Sequence, residues 1–247
     1  MNEAVILSHL GMGDMIGISP AVRHYSKKYK EVYIFTKEKN SKNVFALYDD
    51  VSNLNIITIT DDHTSEFEQV NFYLNELDER CDIIRSGLYK QGRSAFKNLP
   101  DNFYNDFGLD YSVYEEEFNL PSEIINDDTY SSLLDGIDYN FVMGTSSTKD
   151  VTDEIVESIE DDFLVISPSK NVYDKDDDRY QLAEKFLNLP LLDYVNIIKN
   201  AKGVYLIDSS FSLLSKFVAS EDSKKVLYNK SGYELSPNFF SDWEIVK

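Results

Sequence analysis

Three glycine and acid residues near the start of the chain stand where chemistry is easiest to place. In Val5-Ile6-Leu7-Ser8-His9-Leu10-Gly11-Met12-Gly13-Asp14 an apolar run ends in a Gly-x-Gly turn, and an acid follows at once. Glycines reach backbone angles closed to other residues and keep side chains out of the space beside the loop. An acid held by such a turn, at the carboxyl edge of a strand, is a candidate general base, because ligands of open α/β sheets bind at that edge. The same acid equally suits a capping role at the positive end of the following helix. A dinucleotide fingerprint would need a third glycine near position 16, where Ile16 stands, so a nicotinamide cofactor is not expected.

Two further loops carry candidate groups. Tyr139–Met143 reads as a strand that ends at Gly144 and runs into the polar loop Thr145-Ser146-Ser147-Thr148-Lys149-Asp150. A lysine there can neutralise charge growing on a departing phosphate. Leu206-Ile207-Asp208-Ser209-Ser210-Phe211-Ser212 places hydroxyls and unpaired backbone N–H groups at a helix start, which suits a diphosphate without metal. Helix capping by Asp208 and Ser209, and a solvated Lys149, are the plain alternatives. Asp174-Lys175-Asp176 has the look of a metal-binding Asp-x-Asp, but it lies in an acidic stretch before a helix, where acids favour the helix dipole. The histidines, His9, His24 and His63, are too scattered to suggest zinc.

The elements that must position these groups alternate. Strands are expected at Ala4–Ser8, Glu31–Thr36, Leu54–Thr58 and Asp82–Ser86, with helices at 14–28, 40–48 and 65–78 between them. Pro20 should kink the first helix or delay its start. The aromatic and acidic stretch 101–121 reads as a helix and an extended link. The second half repeats the alternation, with strands at 139–143, 163–167 and 203–208 and a last one at 226–228. Helices are expected at about 151–160, 178–187 and 191–199, with another opening at Ser209. The pattern predicts an α/β protein of two Rossmann-like doubly wound domains, 1–135 and 136–247, with sheet edges facing across a cleft.

Composition narrows the partners. The chain has 247 residues, 42% of them hydrophobic, with 15 Phe and 17 Tyr, enough for two packed cores. Its formal net charge is −20, from 44 acids against 24 bases, which argues against nucleic acid. No transmembrane run and no leader pattern is expected, and the single cysteine, Cys81, reads as a buried structural thiol in a cytoplasmic protein.

The loop Ser8–Ile16 with Pro20-Ala21-Val22-Arg23 resembles the opening of heptosyltransferase-like glycosyltransferases of GT-B architecture. Phe141–Lys149, Leu191–Ala201 and Leu206–Leu214 resemble later segments of that family, in the same order. The resemblance implies an inverting, metal-independent transfer of a sugar from a nucleoside-diphosphate donor to a glycan or other hydroxyl acceptor. It implies Asp14 as the base and His9, Gly11, Met12 and Gly13 as the acceptor-side loop. Gly144, Ser146, Ser147, Lys149, Asp208, Ser209 and Ser210 would hold the donor, with no cofactor or metal. Ser210, Phe211 and Leu213 depart from the family's usual glycine, proline and histidine. The other readings are an epimerase-like sugar-nucleotide enzyme and a glycan- or nucleotide-binding module without turnover.

Overall fold

A computed structural model describes residues 3–62, 65–77, 81–90, 101–146, 149–230 and 239–247. Among them the first half forms β1 (Glu3–Leu7), α1 (Met12–Gly17), α2 (Ser19–Ser26), β2 (Glu31–Lys37), α3 (Ser41–Leu47), β3 (Leu54–Ile59), α4 (Glu66–Glu76), β4 (Asp82–Arg85), α5 (Asp101–Phe107) and α6 (Ser112–Glu116). The second half forms α7 (Ser122–Ile125), β5 (Tyr139–Met143), α8 (Thr152–Glu157), β6 (Leu164–Ile166), α9 (Tyr180–Ala183), α10 (Val195–Asn200), β7 (Gly203–Ile207), α11 (Ser210–Val218), β8 (Lys224–Tyr228) and β9 (Glu244–Val246). Every strand pairing among the described residues is parallel. Ala4, Val5, Val32, Phe141, Val142, Val204 and Leu206 are completely or almost completely buried, as parallel strands covered on both faces require.

The chain divides into two compact units between Pro121 and Ser122, earlier than the expected break near residue 135. The reason is local. Asn196 on α10 donates its amide to the carbonyls of Ile125 at 3.0 Å and Asp127 at 2.7 Å, which ties the segment after Pro121 to the second unit. The stretch before it is not an extended link. It folds as α5 and α6, whose Tyr104 and Tyr114 are buried in edge-on contact, with Tyr104 OH on the Gly17 carbonyl at 3.2 Å.

The first sheet has the order β3-β2-β1-β4 and the second β6-β5-β7-β8-β9. Each order reverses direction once, beside the first strand of its unit. Those switch points lie between β1 and β4 and between β5 and β7, and ligands of open α/β sheets bind outside the carboxyl ends of the strands at such points.

Pro20 does interrupt the first helix. Ile18 ends α1 and starts α2, and Pro20 sits in the first turn of α2, where its missing N–H is tolerated. Ser19 Oγ donates to the Ile16 carbonyl at 2.9 Å, the group a residue-20 N–H would otherwise serve. The last strand is β9, not 226–228, and it pairs with β8. Phe239, Phe240 and Trp243, all buried, anchor the chain just before it. Cys81 is half-buried at the foot of β4 rather than buried. No helix among the described residues is long and apolar enough to cross a membrane.

Candidate functional site

At the switch point of the first unit, the loop after β1 meets the turn after β4. Asp14 lies in the first turn of α1, and its carboxylate accepts a hydrogen bond from the Gly11 backbone N–H. A Cβ on Gly11 would stand 2.6 Å from Asp14 Oδ2, so glycine is what leaves room for the carboxylate. Capping is therefore real, and it also fixes the acid at the strand end. Burial pushes the Asp14 carboxyl up to about 7, against the lowering effects of the Gly11 N–H and the Lys37 charge. One quarter of the side chain still meets solvent.

His9 is nearly buried, edge-on to Phe103 at 5.2 Å between centroids. Its Nε2 accepts the Leu88 N–H at 3.0 Å, and its Nδ1 stands 3.8 Å from Asp14 Oδ1. Burial lowers the pKa of His9, opposed by the Glu66 charge. Asn40 Nδ2 holds the Leu10 carbonyl at 3.0 Å, which fixes the loop from its other side. Met12 and Gly13 open α1 beside Gly11 and Asp14.

Sequence reasoning missed the ion pair next to this loop. Lys37, at the end of β2, meets Glu66, at the start of α4, at 2.8 Å, with both side chains more than nine-tenths buried. Tyr89 OH donates to Glu66 Oε1 at 3.3 Å. The one available signal was a lysine closing an otherwise apolar strand, Glu31–Lys37.

At the switch point of the second unit, Ser146 and Lys149 close on each other, Ser146 N–H donating to the Lys149 carbonyl at 2.8 Å. Lys149 Nζ donates to the Lys230 carbonyl. Lys230 N–H in turn donates to Asp208 Oδ1 at 3.3 Å, and Lys230 Nζ rests on Glu154 Oε1 at 2.9 Å. The structure thus brings Lys149 and Asp208 to one loop cluster and adds Lys230, which the sequence reading did not single out. Ser209 is the N-cap of α11 and Ser210 its first residue, with Ser212 Oγ accepting from Ser209 N–H at 3.2 Å. Gly144 is buried, and a Cβ there would overlap the Thr152 backbone, so this glycine serves the approach of α8 to the strand end. Phe211 packs on Phe141 and Tyr194, so its departure from proline fills core space. Ser147 and His63 lie outside the described residues.

Asp177, in the acidic stretch, accepts from Arg179 Nη2 at 2.7 Å, and that bonding holds its carboxyl down at about 2. Among the described residues, no group of three or more His, Cys, Asp or Glu is gathered as metal ligands. A cavity of about 530 Å³ in the second unit is lined by Val165, Tyr173, Asp174, Asp176 and Arg179 among others, and it includes no residue of the loops at the switch point.

The chain has the fold of the heptosyltransferases. It superposes on a family 9 glycosyltransferase from Veillonella parvula with a TM-score of 0.58 at 9% identity, covering 99% of this chain and 85% of that one. E. coli ADP-heptose LPS heptosyltransferase II gives 0.55 at 9% identity, with 100% and 90% covered. E. coli heptosyltransferase WaaC with ADP gives 0.50 at 12%, with 99% and 92% covered. No family model and no curated protein matches the sequence. At these identities the likeness establishes the two-unit parallel fold, as the alternation along the chain predicted.

Proposed function

We propose that this protein is an inverting, metal-independent glycosyltransferase that moves a sugar from a nucleoside diphosphate to a hydroxyl acceptor, a glycan or other saccharide. The observation that carries the reading is that each sheet's switch point holds the groups one half of that reaction needs. The first holds a half-buried carboxyl whose pKa is raised to about 7, and the second a lysine, an aspartate and a helix start. The fold shared with the glycosyltransferases above supports the same reading.

In this mechanism Asp14 takes the proton of the acceptor hydroxyl as its oxygen attacks the anomeric carbon. The bond from that carbon to the phosphate oxygen breaks on the opposite face, and the diphosphate leaves with the electron pair. A base with a pKa near neutrality combines useful ionisation with useful basicity, an effect worth roughly 10² to 10⁴ in rate. Lys149 and the positive end of α11 at Ser210 and Phe211 stabilise the departing charge. Lys149 needs only to exchange a backbone carbonyl for phosphate, a stronger charge-assisted partner. Lys230, on the same cluster, would add a second cation by leaving Glu154.

A thermal-shift screen against UDP, GDP, ADP, CMP and dTDP sugars tests the donor half. A ligand at a hundredfold excess over Kd stabilises by about 2.7 kcal/mol, a plain rise in Tm. No rise with any nucleotide sugar would contradict the reading.

A further inference from the structure

The chemistry of the first unit turns on which way the His9 ring is protonated. A backbone N–H can only donate, so the 3.0 Å bond from Leu88 makes His9 Nε2 an acceptor. The proton of the neutral ring then sits on Nδ1, the atom 3.8 Å from Asp14 Oδ1. Gly87 makes the arrangement possible twice over. Its φ of +56° turns the chain so that Leu88 N–H faces the ring, and a Cβ there would overlap His9 Nε2.

We propose that His9 is a positioning residue for Asp14, locked by Leu88 in its Nδ1–H tautomer so that this N–H orients the carboxyl and favours its ionised form. Asp14 as the base rests on the function proposed above; the contact itself does not. At 3.8 Å the N–H is beyond hydrogen-bond length, so it acts on the carboxylate as a nearby oriented dipole rather than as a bonded donor. His9 cannot relay the proton onward, because its second nitrogen is held by a donor. Its part is to hold and bias Asp14, not to carry its proton.

Charged and titratable groups face this pair from several described elements. Lys37 from β2 acts on Asp14 and Glu66 from α4 acts on His9, and the two are paired with each other at 2.8 Å. Tyr89 is bonded to Glu66. Asp106 of α5 accepts the Gly87 N–H at 3.0 Å and faces Lys90 at 3.2 Å.

The test follows the Asp14 carboxyl by carbon NMR in protein labelled at aspartate, assigned as the resonance that Asp14→Asn removes. His9→Leu keeps the volume and deletes the donor. Its Asp14 midpoint should move upward by about half a unit, roughly threefold in the protonation equilibrium, because a dipole facing the charged form is lost. His9→Asn keeps an N–H near the place of Nδ1, and its midpoint should stay close to that of the wild type. Gly87→Ala displaces the ring without deleting it and should shift the midpoint as His9→Leu does; it decides the matter alone if His9→Leu does not fold. An unmoved midpoint in these variants, or one moved equally by Asn and Leu at position 9, would overturn the proposal. Full turnover in Asp14→Asn would instead sink the glycosyltransferase mechanism while leaving the titration result standing.

Discussion

Replacing Asp14 with Asn should stabilise the protein, and more so at alkaline pH. The carboxyl is pushed from 3.8 to about 7 by burial, about three units at roughly 1.4 kcal/mol each. That is about 4 kcal/mol against the ionised form in a fully shielded site. A quarter of the side chain is exposed, and the amide is a weaker partner than carboxylate for the Gly11 N–H at the helix start. The net gain is then about 2–3 kcal/mol. The pH dependence has a definite sign. Because the folded-state pKa lies above the unfolded one, the folded protein binds the extra proton between about pH 4 and pH 7. Stability from this group is therefore greatest below pH 4, falls as pH rises, and is fully lost above 7. At roughly 2–4 °C per kcal/mol, Asp14→Asn should raise Tm by about 5–10 °C at pH 8.5 and by less than half of that at pH 5. Calorimetry of both proteins at the two pH values measures it. An equal shift at both, or a fall at pH 8.5, would refute the claim that the carboxyl is held against its solvation.

Lys37→Met leaves Glu66 buried without its cation and should cost about 3–5 kcal/mol in urea unfolding, with much of the loss recovered by adding Glu66→Leu. Lys149→Ala should weaken binding of the nucleotide that the thermal-shift screen selects by about 1.5–3 kcal/mol in calorimetric titration and Ser209→Ala by about 0.5–1.5, and the double variant should depart from additivity because both act on one diphosphate. Transfer should survive EDTA and show no dependence on Mg²⁺ or Mn²⁺; loss with chelator and rescue by Mn²⁺ would contradict the metal-free mechanism.

Much of the scaffold is legible in the sequence because two signals coincide. β1, β2 and β7 are apolar runs of the right length, and each is followed by a turn or helix start whose chemistry is local: Gly11 and Gly13, the Lys37–Asn40 stretch, and Ser209. Pro20 announces its own helix boundary. What stayed hidden depends on partners distant in sequence. Glu66 looks like an ordinary acid in a first helical turn, and only the fold brings Lys37 to it. Lys230 looks like a solvated loop lysine until parallel pairing sets β8 beside β7 and Asp208 takes its N–H. Gly87 gives no cue, since its need for positive φ arises from the His9 ring against it. β9 is three residues long and leaves too little pattern to read.

The central claim is tested most directly by acceptor-dependent transfer. The purified protein is offered each of the UDP, GDP, ADP, CMP and dTDP sugars with a panel of saccharide acceptors, and free nucleotide and glycosylated product are measured together. The account predicts that one donor yields both in equal amounts, with inverted anomeric configuration, and that Asp14→Asn binds the same donor but loses turnover by at least about 10². Product from no donor, donor epimerised without acceptor, or undiminished turnover in Asp14→Asn would contradict it.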